Sequence, residues 1–291
     1  GQYMQPPIAA GMPLPSTYEQ EITQSQRIGR QVEAEFENTV PSMEDLVRLR
    51  EEQDLADLNT SPADVLEMLS QGNVRFWTGQ STRPQLNAMQ RRAEIWQSYP
   101  KVAIIGCSDS RVPPEIIFDL GLGDVFVIRV AGNASGSGVS GSILYAVTHL
   151  RVKVVLVLGH EGCGIIRTSQ KSLDEIDQEP PELATWFKTV RRGIGLEINP
   201  ISDISDVRAK DREAVIRNIS YQVRHIKSNP HIARRVATGE LLIAGAFYEK
   251  RSGMVDFIRA ECDVSPHLAP RGNRGIRAEE EPPIPSIQAP A

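Results

Sequence analysis

Four short runs of apolar residues, many of them β-branched, constrain the fold of this chain more than any other feature. They span residues 102–105, 125–128, 152–158 and 241–247. Runs of this length are typical of strands that are buried on both faces, and the segments between the first three runs are long enough for crossover helices. We therefore expect an α/β fold with a mainly parallel central sheet and flanking helices.

Composition divides the chain into three parts. Residues 1–60 combine a Pro-containing opening with an acidic and polar stretch, whose sparse apolar residues have near-helical spacing. This pattern predicts an N-terminal helical extension that contacts another subunit or a protein partner. Residues 61–262 form the predicted central domain, which begins with a helix from Pro62 capped by Ser61. Residues 263–291 are rich in Pro, Arg and Glu without periodicity, which predicts a C-terminal tail.

Charge and hydropathy exclude several classes of function. With 32 Lys and Arg against 37 Asp and Glu, the net charge is -5, so we expect no nucleic-acid partner. No apolar run approaches the roughly 20 residues of a membrane span, and the start lacks the features of a signal peptide. Three cysteines do not make a disulfide framework. We expect a soluble protein of a reducing compartment, either the cytoplasm or a plastid stroma reached through a removed transit peptide.

Potential zinc ligands follow two of the predicted strands. Cys107 comes after the first run, and His160 and Cys163 come after the third on what we interpret as one short loop. Ligands gather at the carboxyl ends of strands in open parallel sheets, and thiolate and imidazole are ligands that Zn²⁺ prefers. The residues alone leave a second interpretation open, in which both cysteines are small buried apolar residues and His160 is a hydrogen-bonded loop histidine.

An acid and a base accompany the first of these cysteines. Three protein ligands would leave a fourth position open for water, which is typical of catalytic zinc sites. Asp109, two residues from Cys107, could occupy that position. Alternation could instead place Asp109 and Arg111 on one side of the loop as an ion pair. The alternative is an ordinary surface salt bridge, which contributes little.

Three glycines imitate a dinucleotide-binding fingerprint. Gly136, Gly138 and Gly141 spell G-x-G-x-x-G, and Glu161 follows 20 residues after the last of them. In that fingerprint the first glycine comes directly after the strand, whereas residues 131–135 intervene here. We therefore interpret the glycines as permitting a tight, backbone-close loop beside the metal site.

Longer segments around these residues resemble a known family. Residues 106–133 (GCSDSRVPPEIIFDLGLGDVFVIRVAGN), 142–150 (SILYAVTHL) and 154–164 (VVLVLGHEGCG) are similar to core signatures of β-class carbonic anhydrases, with VPPE typical of the bacterial-type branch. The similarity continues in residues 69–76 and 241–257, so it covers the central domain, residues 61–262.

The resemblance implies a zinc enzyme that hydrates carbon dioxide to bicarbonate. It implies Zn²⁺ on Cys107, His160 and Cys163, catalytic roles for Asp109 and Arg111, and a homodimer or higher multiple with active sites at subunit boundaries. Two alternatives remain: a non-catalytic zinc scaffold of the same fold, and a hydrolase of carbon disulfide or carbonyl sulfide, whose attack on a linear heteroallene is the same step.

This chain departs from the family pattern at two places. Many members have a glutamine two residues before the Pro that precedes the first strand. Here Ser98 has that place and Gln97 is one residue off. Leu120 stands where many relatives have Gln in FDQGLGD. Neither change removes a predicted ligand.

Overall fold

A computed structural model describes residues 60–82, 98–198, 201 and 203–258, together with the single residues 45, 48 and 52. The chain divides into two units, Gly1–Arg259 and Ala260–Ala291, and all the described residues lie in the first. Apart from those single residues and Thr60, the predicted N-terminal extension lies outside the described residues, as do Gln97 and the predicted C-terminal tail.

One central sheet organises the described residues. Its strands are β1 (Val102–Gly106), β2 (Val125–Arg129), β3 (Val154–His160), β4 (Leu242–Tyr248) and β5 (Val255–Ile258). Their order is β2-β1-β3-β4-β5. The first four strands are parallel, and β5 pairs antiparallel with β4. The predicted mainly parallel sheet is therefore confirmed, and each of its four predicted strands is found to within two residues at both ends.

Helices cover both faces of the sheet. They are α1 (Pro62–Trp77), α2 (Pro114–Ile117), α3 (Ser137–Thr148), α4 (Gly164–Thr168), α5 (Leu173–Ile176), α6 (Pro181–Ile194), α7 (Val207–Lys227) and α8 (Pro230–Ala237). Side chains of β1 alternate between two apolar clusters: Ile105 packs in one with α3, α6 and α7, and Ile104 in the other with α1 and α2. No helix among these is long and apolar enough to cross a membrane.

Helix α1 begins where the sequence predicts it. The Ser61 hydroxyl accepts a hydrogen bond from the Asp64 amide at 3.2 Å, and the Asp64 carboxylate accepts one from the Ser61 amide at 2.9 Å. This reciprocal pair is a capping box, which satisfies two backbone donors that the first turn leaves unpaired. The predicted cap is therefore confirmed.

Close contacts fix the other end of α1 to the body of the molecule. A Cβ on Gly72 would lie 2.0 Å from the carbonyl oxygen of Phe118, so only glycine allows this approach. The buried Asn73 amide donates to the carbonyls of Ile117 and Gly253, and its oxygen accepts from the Val255 amide. This side chain joins α1, α2 and the start of β5.

Candidate metal centre

The sheet brings the three predicted zinc ligands to one edge. Cys107 directly follows β1, His160 is the last residue of β3, and Cys163 is the N-cap residue of α4. Because β1 and β3 are adjacent and parallel, their carboxyl ends lie side by side. The prediction that His160 lies on a loop is wrong: it pairs with Tyr248 in the β3–β4 ladder, so its backbone is fixed by the sheet.

The spacing of the ligand atoms suits one tetrahedral ion. The sulfur atoms and a ring nitrogen of Cys107, Cys163 and His160 all lie within 4.8 Å of one another, and all three residues are buried. The two sulfurs are 3.9 Å apart. Zinc–sulfur bonds of about 2.3 Å at a tetrahedral angle would separate two sulfurs by about 3.8 Å. The thiol pair therefore has the geometry that a zinc ion requires.

The imidazole of His160 presents one nitrogen without a partner. Its Nδ1 lies 3.0 Å from the Glu161 carbonyl oxygen. Because a carbonyl only accepts, Nδ1 carries the proton and Nε2 keeps a lone pair. Nε2 is buried and has no hydrogen-bond partner among the described residues. A buried acceptor without a partner is costly, and a metal ion would remove that cost.

The two thiols share one negative charge. A hydrogen bond from the Cys163 thiol lowers the pKa of Cys107 to about 4. The Gly132 amide also donates to the Cys107 sulfur, at 3.4 Å. The same thiol–thiolate contact, together with burial, raises the pKa of Cys163. The contact therefore favours one shared negative charge in the metal-free pair, with the thiolate at Cys107 and the proton at Cys163.

Asp109 and Arg111 form the predicted ion pair. The Arg111 guanidinium donates to both carboxylate oxygens, at 2.9 and 2.6 Å, and the Arg111 amide donates to one of them at 3.0 Å. These bonds hold the pKa of the Asp109 carboxyl well below its usual range. Among the described residues, the group whose ligand atoms converge contains the two cysteines and His160 but not Asp109. Its carboxylate is bound by Arg111 instead, so Asp109 is not placed with the three side chains that could hold a metal ion.

The backbone of this loop is fixed by a residue that the sequence analysis did not single out. Arg129, the last residue of β2, donates to the carbonyls of Cys107 and Asp109 at 3.0 and 2.5 Å. Its place directly after the second apolar run was a usable signal, because that strand end neighbours the end of β1. Lys250, two residues after β4, was also missed, and its amine lies 3.8 Å from an Asp109 oxygen.

The predicted glycine loop beside the metal site is wrong. Gly136 is the N-cap of α3, and a Cβ on Gly138 or Gly141 inside that helix would meet nothing within 4 Å. The glycine beside the cluster is Gly132, which has φ +78° and donates to the Cys107 sulfur. Residues 130–136 separate β2 from α3, which confirms that the dinucleotide fingerprint lacks its strand-to-helix turn.

Leu120 and Ser98, at which the chain departs from the family pattern, both lie among the described residues. Leu120 is half-buried and packs against the apolar cluster beneath α1 and α2. Ser98 is exposed in a segment without regular structure.

Comparisons with known proteins all point to one family. The family model for carbonic anhydrase matches residues 102–255, a range that contains all five predicted site residues. A carbonic anhydrase of Mycolicibacterium smegmatis is 34% identical over 200 residues, which cover 68% of this chain and 94% of that protein. Carbonic anhydrase 2 of Mycobacterium tuberculosis is 33% identical over 203 residues, with 67% and 92% covered. The solved structure of the β-carbonic anhydrase CcaA is similar with a TM-score of 0.55 and 26% identity, covering 68% of this chain and 93% of that one.

Proposed function

The chain belongs to the β-carbonic anhydrase family, and we propose that it catalyses the reversible hydration of carbon dioxide to bicarbonate and a proton at a zinc ion bound by Cys107, His160 and Cys163. One observation carries the proposal. Three buried side chains, separated by up to 56 residues in sequence, bring their ligand atoms within 4.8 Å of one another, and the imidazole Nε2 has no hydrogen-bond partner in the part of the chain that the structure describes. This donor set is typical of zinc sites that keep one position open.

The chemistry divides between the metal and the ion pair. A zinc ion bound there would supply a Lewis acid that acidifies a water molecule in the open position. Asp109, kept ionised by Arg111, would accept a hydrogen bond from a water or hydroxide at that position and orient it toward carbon dioxide. Arg129 holds the backbone carbonyls on which this arrangement depends. In this proposal Asp109 contacts the reacting water, and Arg111 orients the Asp109 carboxylate.

We further propose a homodimer or a multiple of it. Large apolar side chains such as Trp77 and Tyr145 are more than 40% exposed, which favours burial against a second copy. Binding of a protein partner through residues 1–60 and 263–291 remains a prediction.

The proposal is tested by stopped-flow hydration of carbon dioxide on the purified full chain. We expect about one zinc ion per chain, loss of hydration on removal of zinc with a chelator, and recovery when zinc is returned. Zinc at that occupancy without detectable hydration would contradict the enzymatic proposal and favour the scaffold alternative.

A further inference from the structure

Lys250 places a second cation beside the Asp109 carboxylate. Its Nζ lies 3.8 Å from Asp109 Oδ2, the oxygen that also accepts from Arg111 Nη2 at 2.6 Å. The Lys250 side chain is only 18% exposed and that of Asp109 15%, whereas that of Arg111 is 67% exposed. Water screens the Arg111 contact more strongly than its short distances suggest. The more enclosed of the two cations is therefore Lys250.

The turn that carries Lys250 is held by its own hydrogen bonds. The Glu249 amide donates to the Met254 carbonyl, and the Gly253 amide donates to the Glu249 carbonyl, both at 2.9 Å. The Ser252 hydroxyl donates to the Glu249 carboxylate at 2.6 Å. Gly253 adopts φ +81°, which favours glycine at this position. The backbone thus sets where the Lys250 side chain begins.

The amine also lies against the segment that carries two of the ligands. A Cβ on Gly162, between His160 and Cys163, would be 3.7 Å from Lys250 Nζ. The Glu161 amide donates to the Tyr248 carbonyl at 2.9 Å, which ties this segment to the end of β4. Lys250 therefore lies between the loop after β1 and the loop after β3.

We propose that Lys250 is a positioning residue for the hydration reaction, holding the Asp109 carboxylate together with Arg111. The inference rests on the proposed function. Arg111 lies two residues after Asp109 in the same loop. Their ion pair therefore cannot fix this loop relative to the neighbouring strands. Lys250 comes from the end of β4, and β3 separates β4 from β1. Its ammonium therefore fixes the carboxylate relative to the sheet edge on which the ligands lie.

The kinetic test compares Lys250→Met, which keeps the length of the side chain and removes its charge, with Lys250→Arg. We expect Lys250→Met to lower kcat for hydration by about five- to tenfold, and Lys250→Arg to stay within about twofold of wild type. Arg251→Met is the matched control, because Arg251 is an exposed cation of the same turn, and the ion pairs of Asp109 with described residues are with Arg111 and Lys250. It should leave kcat unchanged.

The Asp109→Asn variant tests whether Lys250 acts through Asp109 or contacts bicarbonate directly. In Asp109→Asn, measured at higher enzyme concentration, Lys250→Met should produce no further loss of kcat, because the group on which Lys250 acts has lost its charge. A further loss in that background would overturn the proposal, as would an unchanged kcat in Lys250→Met alone. Lost zinc or a lowered melting temperature in Lys250→Met would also overturn it in favour of a structural role.

Lysine labelling supplies a readout that does not depend on activity. Reductive methylation followed by mass spectrometry should modify Lys250 slowly in wild type and faster in Asp109→Asn. The half-buried Lys101, which precedes β1 at the opposite end of the strand, should react equally in both. Equal labelling of Lys250 in both proteins would exclude the contact. A wild-type enzyme without hydration would instead contradict the proposed function, and the labelling would still decide whether Lys250 pairs with Asp109.

Discussion

The different pKa values of the Cys107 and Cys163 thiols determine how many protons zinc binding releases. With the pKa of Cys107 near 4 and that of Cys163 raised, the metal-free pair holds one proton at neutral pH. Both sulfurs must be thiolates to bind zinc, so binding should displace about one proton from the pair. Calorimetric titration of metal-free protein with zinc at pH 7, in buffers of different ionisation enthalpy, measures this number. Because zinc can also take a proton from its bound water, the ultraviolet absorbance of thiolate is measured on the metal-free protein as well. A metal-free protein without thiolate at pH 7 would contradict the shared charge.

Single substitutions test the ligand assignment. Replacing Cys107, His160 or Cys163 by Ala should lose zinc and lower the melting temperature, because the free energy of metal binding is shared with folding. Cys262→Ala is the control, because it removes the remaining cysteine of the chain and leaves all three predicted ligands in the sequence. Full zinc occupancy in one of the three variants would remove that residue from the ligand set.

The lowered pKa of Asp109 determines the pH range in which its ion pair with Arg111 stabilises the fold. A depressed carboxyl pKa contributes stability above the ordinary value of about 3.9, and this contribution is lost as the pH falls through the lower folded value. Asp109 is therefore ionised wherever hydration is measured. We expect hydration to rise from near zero below neutrality to a plateau in mild alkali, and this rise must come from a group other than Asp109.

Arg111→Ala should then inactivate the enzyme while zinc stays bound. Without the Arg111 guanidinium the carboxylate would keep its 3.8 Å contact with Lys250 and the hydrogen bond from the backbone amide of residue 111, and would be able to turn toward the fourth position of a bound zinc ion. Acid would favour that closed form because it removes the hydroxide that competes for zinc. The pH–rate profile and the zinc content of Arg111→Ala are the measurements. If Arg111→Ala keeps most of its hydration rate at alkaline pH, the pair is an ordinary surface salt bridge without a role in the reaction.

At the scale of elements, the docking of α1 depends on one close approach. Gly72→Ala places a Cβ 2.0 Å from the Phe118 carbonyl oxygen, a backbone atom that cannot move aside alone. We expect a loss of about 3 kcal/mol or more in the free energy of unfolding, measured by urea denaturation. Gly141→Ala is the matched control, because nothing lies within 4 Å of its Cβ in α3 and alanine favours a helix. Equal stability of the two variants would contradict the packing argument.

The sheet was predictable where apolar residues run without interruption, and it was missed where they do not. β1 and β3 are fully buried, β4 is mostly buried and β2 partly buried, and all four are short apolar runs without helical periodicity, so their positions follow from the pattern. β5 has four residues and contains Asp256, which gives too weak a signal. The meeting of Cys107 with His160 follows from adjacent strand ends. The contact of Lys250 depends on the path of a turn and on the strand order, which one sequence does not specify.

At the scale of the whole molecule, the catalytic parts lie in one continuous stretch of sequence. The family match ends at residue 255, and all five site residues and Lys250 precede that point. Deleting residues 264–291 should therefore leave zinc content and hydration intact. That segment is rich in Pro, Arg and Glu, a composition suited to contacts with another chain. We expect the deletion to change the oligomer mass by light scattering or the capture of a partner in pull-down. Unchanged mass and capture would reject a docking role for the segment, and a loss of hydration would show that it contributes to the site.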